Sequence, residues 1–177
     1  MSIIRFGIDL AKNSFAICGV DKHEHIVFRR CLVRKSLLSF FAQQTPALVA
    51  MEAGSGAHHW ARELINLGHD ARIIHPQFVT PYRKQGNTGK NDFNDACAIC
   101  EAAGRPNMRF VPVKSKSQQA MLIVHHLRQS TVTEHTRTVN QIRAILAEFG
   151  IVLPLGANTL KRQWPAIRQR YDHSLTP

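Results

Sequence analysis

Two carboxylates three residues apart, Asp92 and Asp95 in "GKNDFNDACAIC" (residues 89–100), open what reads as an amphipathic helix. Aspartate at a helix start has an ordinary use: at the cap and in the first turn it satisfies free N–H groups and complements the helix dipole. It also has a chemical use, because residues three apart project from one helix face and both can reach a single divalent cation. Taken alone, the pair favours capping. Two further acids change that weighting. Asp9 follows "RFGI" and Glu52 follows "ALVAM", apolar strand-like runs in which an unpaired carboxylate is unfavourable. Four carboxylates brought together would repel one another unless cations neutralised them. Asp9, Glu52, Asp92 and Asp95 are therefore the candidate catalytic residues and the candidate ligands of Mg²⁺ or Mn²⁺, with two ions expected. Such an ion pair serves in-line displacement at a phosphodiester, where one metal activates the attacking oxygen and the other stabilises the leaving one.

The elements that must position these acids are legible from periodicity. "IIRFGIDLA", "SFAICGV" and "HIVFRRCLV" alternate or run apolar and are joined by short links, which predicts a three-stranded antiparallel meander. "RKSLLSFFAQQ" reads as a short helix and "ALVAME" as a buried strand. "SGAHHWARELINLG" reads as a helix closed by Gly68 in the C-cap position, and "HDARIIHP" as a fifth strand stopped by Pro76. Three antiparallel strands followed by strand, helix and strand is a mixed α/β order, as in ribonuclease H-like folds, with polar residues at strand ends facing a common crevice. A Gly-rich loop from Gln85 to Asn91 precedes the Asp92 helix, which should end near Gly104. "RPNMRFVPVKS" is an extended connector. From Ser117 to Phe149 neither Pro nor Gly occurs, so one long helix or two in tandem is expected, a coiled-coil or dimer arm. A last basic helical segment, "NTLKRQWPAIRQR", should be broken by Pro165. The predicted organisation is a five-stranded α/β catalytic domain over 1–104, a connector over 105–116 and a basic helical arm over 117–177.

The chain carries 23 Lys and Arg against 12 Asp and Glu, a formal charge of +11. Residues 105–177 hold 11 of those basic side chains and only three acids, Glu134, Glu148 and Asp172. A polyanion is the expected partner, and nucleic acid the natural one. Arg128, Arg137, Arg143, Lys161, Arg162, Arg168 and Arg170 are the nucleic-acid candidates on the arm. Arg83, Lys84 and Lys90 flank the loop beside the acid pair and read equally well as phosphate contacts or as solvated charge. Aromatic residues make up 7% of the chain, so base stacking is not a theme. Cys18, Cys31, Cys97 and Cys100 read as thiols. The Cys97-x-x-Cys100 pair lacks the second pair or histidines of a zinc site, so both are expected on the buried side of their helix. His58 and His59 read as packing or surface residues, with proximity to the metals as the alternative. No apolar run of about 18 residues and no signal-peptide order is present. The expectation is a soluble, cytoplasmic protein with no membrane partner.

Several long stretches also carry a resemblance. "FGIDLAKNSF", "MEAGSGAHHWARELINLGHDARIIHPQFVTPY", "KNDFNDACAICEAAGRPNMRFVPVKS" and "NQIRAILAEFGIVLP" closely resemble the DEDD transposases of the insertion sequence one-hundred-and-ten and eleven-eleven groups, which include the Piv invertases. The resemblance implies a RuvC-like domain of ribonuclease H fold whose four acids bind Mg²⁺. Motif by motif these fall on Asp9, Glu52, Asp92 and Asp95. It further implies DNA as the substrate and a structured guide RNA, and the long helix adds the expectation of a homo-oligomer through the arm. Family members continue into a domain with a nucleophilic serine, and no serine of this chain matches it. Ser55 in "EAGSGA" is one residue out of register for G-x-S-x-G. The expectation is the N-terminal catalytic half of a transposase that does not recombine DNA by itself. The alternatives are a catalytically silent nucleic-acid-binding fragment and a stand-alone junction nuclease.

Overall fold

Alternation along "RFGIDL" and "SFAICGV" builds two neighbouring strands, β1 (Arg5–Leu10) and β2 (Ser14–Val20), paired antiparallel with Gly7 opposite Cys18 and Asp9 opposite Ala16. The computed structural model describes residues 2–83 and 91–171, without the side chains of residues 170 and 171. The third strand of the meander, β3 (Ile26–Val33), pairs antiparallel with β2. A 3₁₀ turn (Arg34–Ser36) and helix α1 (Leu37–Phe41) lead to β4 (Leu48–Glu52), which lies parallel to β1. Helix α2 (Ala57–Asn66) then returns the chain to β5 (Asp70–Ile74), parallel to β4. Helix α3 (Pro76–Val79) begins with proline at its first position, where no N–H is required. After a 3₁₀ turn (Thr80–Tyr82) comes α4 (Asp92–Ala103).

The end of α2 departs in detail from expectation. Leu67 is the C-cap residue, and Gly68, one position later at φ +89°, makes the left-handed turn. Gly68 N donates to Ile65 O and His69 N to Leu64 O, so the last carbonyls of the helix are satisfied and a Cβ at Gly68 would be strained.

The sheet has six strands in the order β3-β2-β1-β4-β5-β6, rather than the five expected. The additional strand, β6 (Phe110–Val111), comes from the connector and pairs antiparallel with β5. Two residues stopped by Pro112 are too short to show alternation, and the free edge of β5 is what gives them a partner. This is a mixed α/β sheet of ribonuclease H-like order.

The two faces of the sheet are packed differently. On one, Phe6, Ile8, Phe15, Ile17, Val49, Met51 and Ile73 meet Leu37 and Phe41 of α1 and Trp60, Ala61 and Leu64 of α2. Phe41 is edge-on to Phe6, with ring centroids 5.1 Å apart. On the other, Ala50 and Ile74 meet Ala98, Ile99 and Ala102 of α4, and Ala16, Cys18 and Val20 meet Ala96 and Cys100.

Contacts divide the chain into two units, Met1–Ser115 and Lys116–Pro177. In the second, α5 (Lys116–Glu148) is a single long helix and α6 (Ala157–Tyr171) packs with it through Leu146, Leu153, Leu160 and Ile167. Helix α6 runs through Pro165 instead of breaking there. A proline in a helix interior costs about 3 kcal/mol, and burial of Leu160 and Ile167 on either side of it holds the two segments in one helix. No helix among the described residues is long and apolar enough to cross a membrane.

Candidate functional site

The parallel β1/β4 ladder ends at the pair Ile8 and Met51, so Asp9 and Glu52 follow side by side at the carboxyl ends of adjacent strands. Strand alternation puts them on the same face as Gly7 and Ala50, which is the face covered by α4. Both are half-buried. Along α4, residues 92, 95, 96, 99, 100 and 103 share one helical stripe, and Ala96, Ile99, Cys100 and Ala103 within it are buried. Asp92 and Asp95 thus continue the packed stripe toward the helix start, Asp95 half-buried and Asp92 exposed.

Capping, the ordinary use first considered for Asp92, belongs to its neighbour. Asn91 is the N-cap residue: its Oδ1 accepts from Phe93 N at 2.9 Å and its carbonyl accepts from Asn94 N and Asp95 N. Asp92 is the first helical residue. Both aspartates remain in the first turn, where the dipole favours negative charge.

Arg83, immediately after the 3₁₀ turn, ties this cluster together. Its Nη2 donates to Glu52 Oε2 at 2.7 Å, and its Nε lies 3.1 Å from Asp95 Oδ1. That Nε is buried, yet it is not aligned for a hydrogen bond. The guanidinium thus makes one aligned hydrogen bond, to Glu52, while its Nε meets Asp95 as a charge. Asp9 reports the same convergence: burial first, then the charges of Asp95, Asp92 and Glu52, hold its carboxyl above the usual range, with Arg83 opposing them. The structure therefore brings all four acids into one electrostatic neighbourhood, in which Arg83 pairs with Glu52 and Asp95. Oxygen donors without sulfur or nitrogen suit Mg²⁺ or Mn²⁺ in kind. In the arrangement seen, Glu52 and Asp95 are turned onto Arg83. Among the described residues no three His, Cys, Asp or Glu side chains are disposed to hold a metal ion.

The basic candidates separate into several kinds. Arg83 is an ion-pair partner of the acids, and Lys84 and Lys90 lie outside the described residues. Arg128, Lys161, Arg162 and Arg168 are exposed, and Arg170's side chain lies outside the described ones. Arg137 pairs with Glu134 at 2.6 Å. Arg143 is partly internal, its Nη2 donating to Leu153 O at 2.8 Å across the turn after α5. His58 Nδ1 accepts from Lys114 N at 3.2 Å and so fastens the segment after β6. Burial, with Lys114 and Arg62 nearby, holds its pKa below the usual imidazole value. His59 lies 3.8 Å from Glu63 on the same helix. Sequence reasoning missed the bridging role of Arg83, for which no local pattern exists. It also passed over Gly7, although a glycine inside a strand signals close approach by another backbone.

A ribonuclease H-like sheet with carboxylates at the ends of β1 and β4, and two more on the helix that covers them, defines a class of nucleic-acid-processing folds. A family model described as transposase, of the DEDD IS110 type, matches residues 6–151. The chain belongs to this transposase family. It is 53% identical over 152 residues to a protein of Pseudomonas aeruginosa named "Probable family 20 transposase", covering 86% of this chain and 44% of that one. It is 45% identical over 161 residues to the transposase for insertion sequence element IS1328 of Yersinia enterocolitica, covering 91% and 47%. With the transposase for insertion sequence element IS1111A of Coxiella burnetii it shares 37% identity over 171 residues, covering 97% and 46%. The chain spans about half the length of the curated relatives it matches.

Proposed function

We propose that the first unit is the metal-dependent catalytic part of a DNA transposase, with Asp9, Glu52, Asp92 and Asp95 as its divalent-cation ligands. The observation that carries this reading is the convergence of Asp9, Glu52, Asp92 and Asp95 from β1, β4 and α4 on one neighbourhood, where Arg83 pairs with Glu52 and Asp95 and the Asp9 carboxyl is raised by burial and then by the other three acids. A fold gains nothing from collecting four like charges, three of them half-buried, and a site for two Mg²⁺ or Mn²⁺ ions gives them a use. Bound there, such cations would activate the attacking oxygen and stabilise the leaving oxygen of a phosphodiester. For the acids to turn inward, Arg83 must release Glu52 and Asp95. The freed guanidinium is then placed to meet a backbone phosphate beside the site. The basic second unit supplies phosphate contacts through Arg128, Lys161, Arg162 and Arg168, and its helices are the surface for self-association. DNA and a structured guide RNA are the polyanions this charge would hold.

Calorimetric titration of the protein with Mg²⁺ or Mn²⁺, beside an Asp9→Asn, Asp92→Asn double variant, tests the site. Heat of binding is expected for the unaltered chain and none for the variant, and equal binding by both removes the metal assignment. The pairing of Glu52 and Asp95 with Arg83 favours one second reading, a nucleic-acid-binding unit that performs no chemistry by itself. Gel shifts across a salt series, with and without EDTA, separate the two, since phosphate contacts weaken with salt whether or not a metal is present.

A further inference from the structure

Three of the four cysteines meet on the α4 face of the sheet, although Cys18 and Cys97 are 79 residues apart in sequence. Gly7 is the reason they can. It sits opposite Cys18 in the β1/β2 ladder, and a Cβ there would lie 2.2 Å from Ala96 O and 2.8 Å from Cys100 Cβ, so only glycine admits the helix this closely. Cys97 Sγ lies 2.6 Å from Cys18 Sγ. Cys100 is 1% exposed; its thiol lies 3.6 Å from Arg5 O and is also a hydrogen-bonding neighbour of Cys18. Cys97 is half-buried, and both it and Cys18 line a cavity of about 590 Å³ whose wall also carries Arg29, Glu101 and Arg105. The pair is thus in contact and reachable by a small reagent, whereas Cys100 is reachable only through the protein.

We propose that Cys18 and Cys97 are a reversible thiol pair that a low-molecular-weight disulfide such as glutathione disulfide oxidises to an internal Cys18–Cys97 bond. The Cys97 thiolate attacks one sulfur of the reagent and releases one glutathione thiolate, leaving a mixed disulfide. Cys18, once deprotonated, attacks the Cys97 sulfur and releases the second glutathione. The protein gives up two protons and two electrons, and the reagent leaves as two thiols. Hydrogen bonding to Cys100 and Cys97, together with burial, holds the Cys18 proton above the usual thiol range, so the closing step is the slow one and quickens with rising pH. The bond would staple β2 to α4, the helix that carries Asp92 and Asp95, and so couple the freedom of that helix to redox state. This holds whatever the four acids bind.

The test uses the reduced protein in mixtures of glutathione and glutathione disulfide, quenched with acid, alkylated and mapped by mass spectrometry without reduction. A linked Cys18–Cys97 peptide pair is expected to grow with the disulfide fraction, to vanish on adding dithiothreitol, and to persist in Cys31→Ser. The amides of α4 are expected to exchange more slowly in the oxidised protein. Glutathionylation of Cys97 with Cys18 still alkylatable overturns the proposal, as does a Cys18–Cys100 bond in place of Cys18–Cys97. Because the map is read on the unaltered chain, it does not depend on any cysteine variant folding.

Discussion

The two faces of the central sheet are built from the same strands and do opposite work. The face under α1 and α2 is filled by Phe6, Phe15, Met51, Phe41 and Trp60, large side chains that hold the layers together by area. The face under α4 is lined by Gly7, Ala16, Cys18 and Ala50, small residues that bring the helix backbone close. Close approach costs apolar area and gains position: Asp92 and Asp95 are held toward the ends of β1 and β4, where Asp9 and Glu52 stand. One face supplies stability and the other supplies geometry, so substitutions on the two should fail in different ways.

The largest expected effect is on the packed face. Phe41→Ala removes a fully buried ring and should cost about 4 kcal/mol in urea unfolding, while the fraction that stays folded keeps its divalent-cation affinity. Gly7→Val should cost somewhat less, about 3 kcal/mol, since α4 can slide away from the clash at Ala96 O. That slide should abolish the heat of Mg²⁺ binding even in conditions where circular dichroism reports a folded chain. Retention of cation binding by Gly7→Val would erase the distinction between the faces.

Smaller effects sharpen the same contrast at the acids. Arg83→Gln leaves Glu52 and Asp95 without their paired cation, so in EDTA it should lower stability by about 1 kcal/mol. It should raise Mg²⁺ affinity several-fold in the same titration, because no guanidinium competes for Glu52 and Asp95. The smallest effect is expected at Asp21, in the turn between β2 and β3. Burial alone would raise its carboxyl, but bonds from the backbone N–H groups of His25 and His23 hold it below the usual range. A depressed carboxyl contributes stability above its unfolded pKa and loses it as pH falls through the folded value. Thermal melts should therefore show the unaltered protein losing more stability than Asp21→Asn between neutral and strongly acid pH.

Much of this was legible in the residues. The antiparallel meander and the strands of β4 and β5 followed from alternation and turn residues, and Asp9 and Glu52 declared themselves as charges at the ends of apolar strands. The arm followed from a long span without Pro or Gly. Other features were hidden for reasons that lie in the chemistry of short patterns. Asn91 and Asp92 are both good caps, and adjacency in sequence does not say which one has extended backbone geometry. Two residues of β6 carry no period. Pro165 reads as a helix break because local propensity knows nothing of the leucine and isoleucine buried on either side of it.

The sequence by itself determined the order of the first five strands and of the helices among them, the concentration of basic charge toward the C-terminus, and the four acids worth suspecting, because period, propensity and charge are local properties. Only the tertiary structure decided that Arg83 stands among those acids and that Cys18 touches Cys97. Both depend on how closely α4 lies against the sheet. That distance is set by a missing side chain at Gly7, whose effect is felt by residues about 90 positions away.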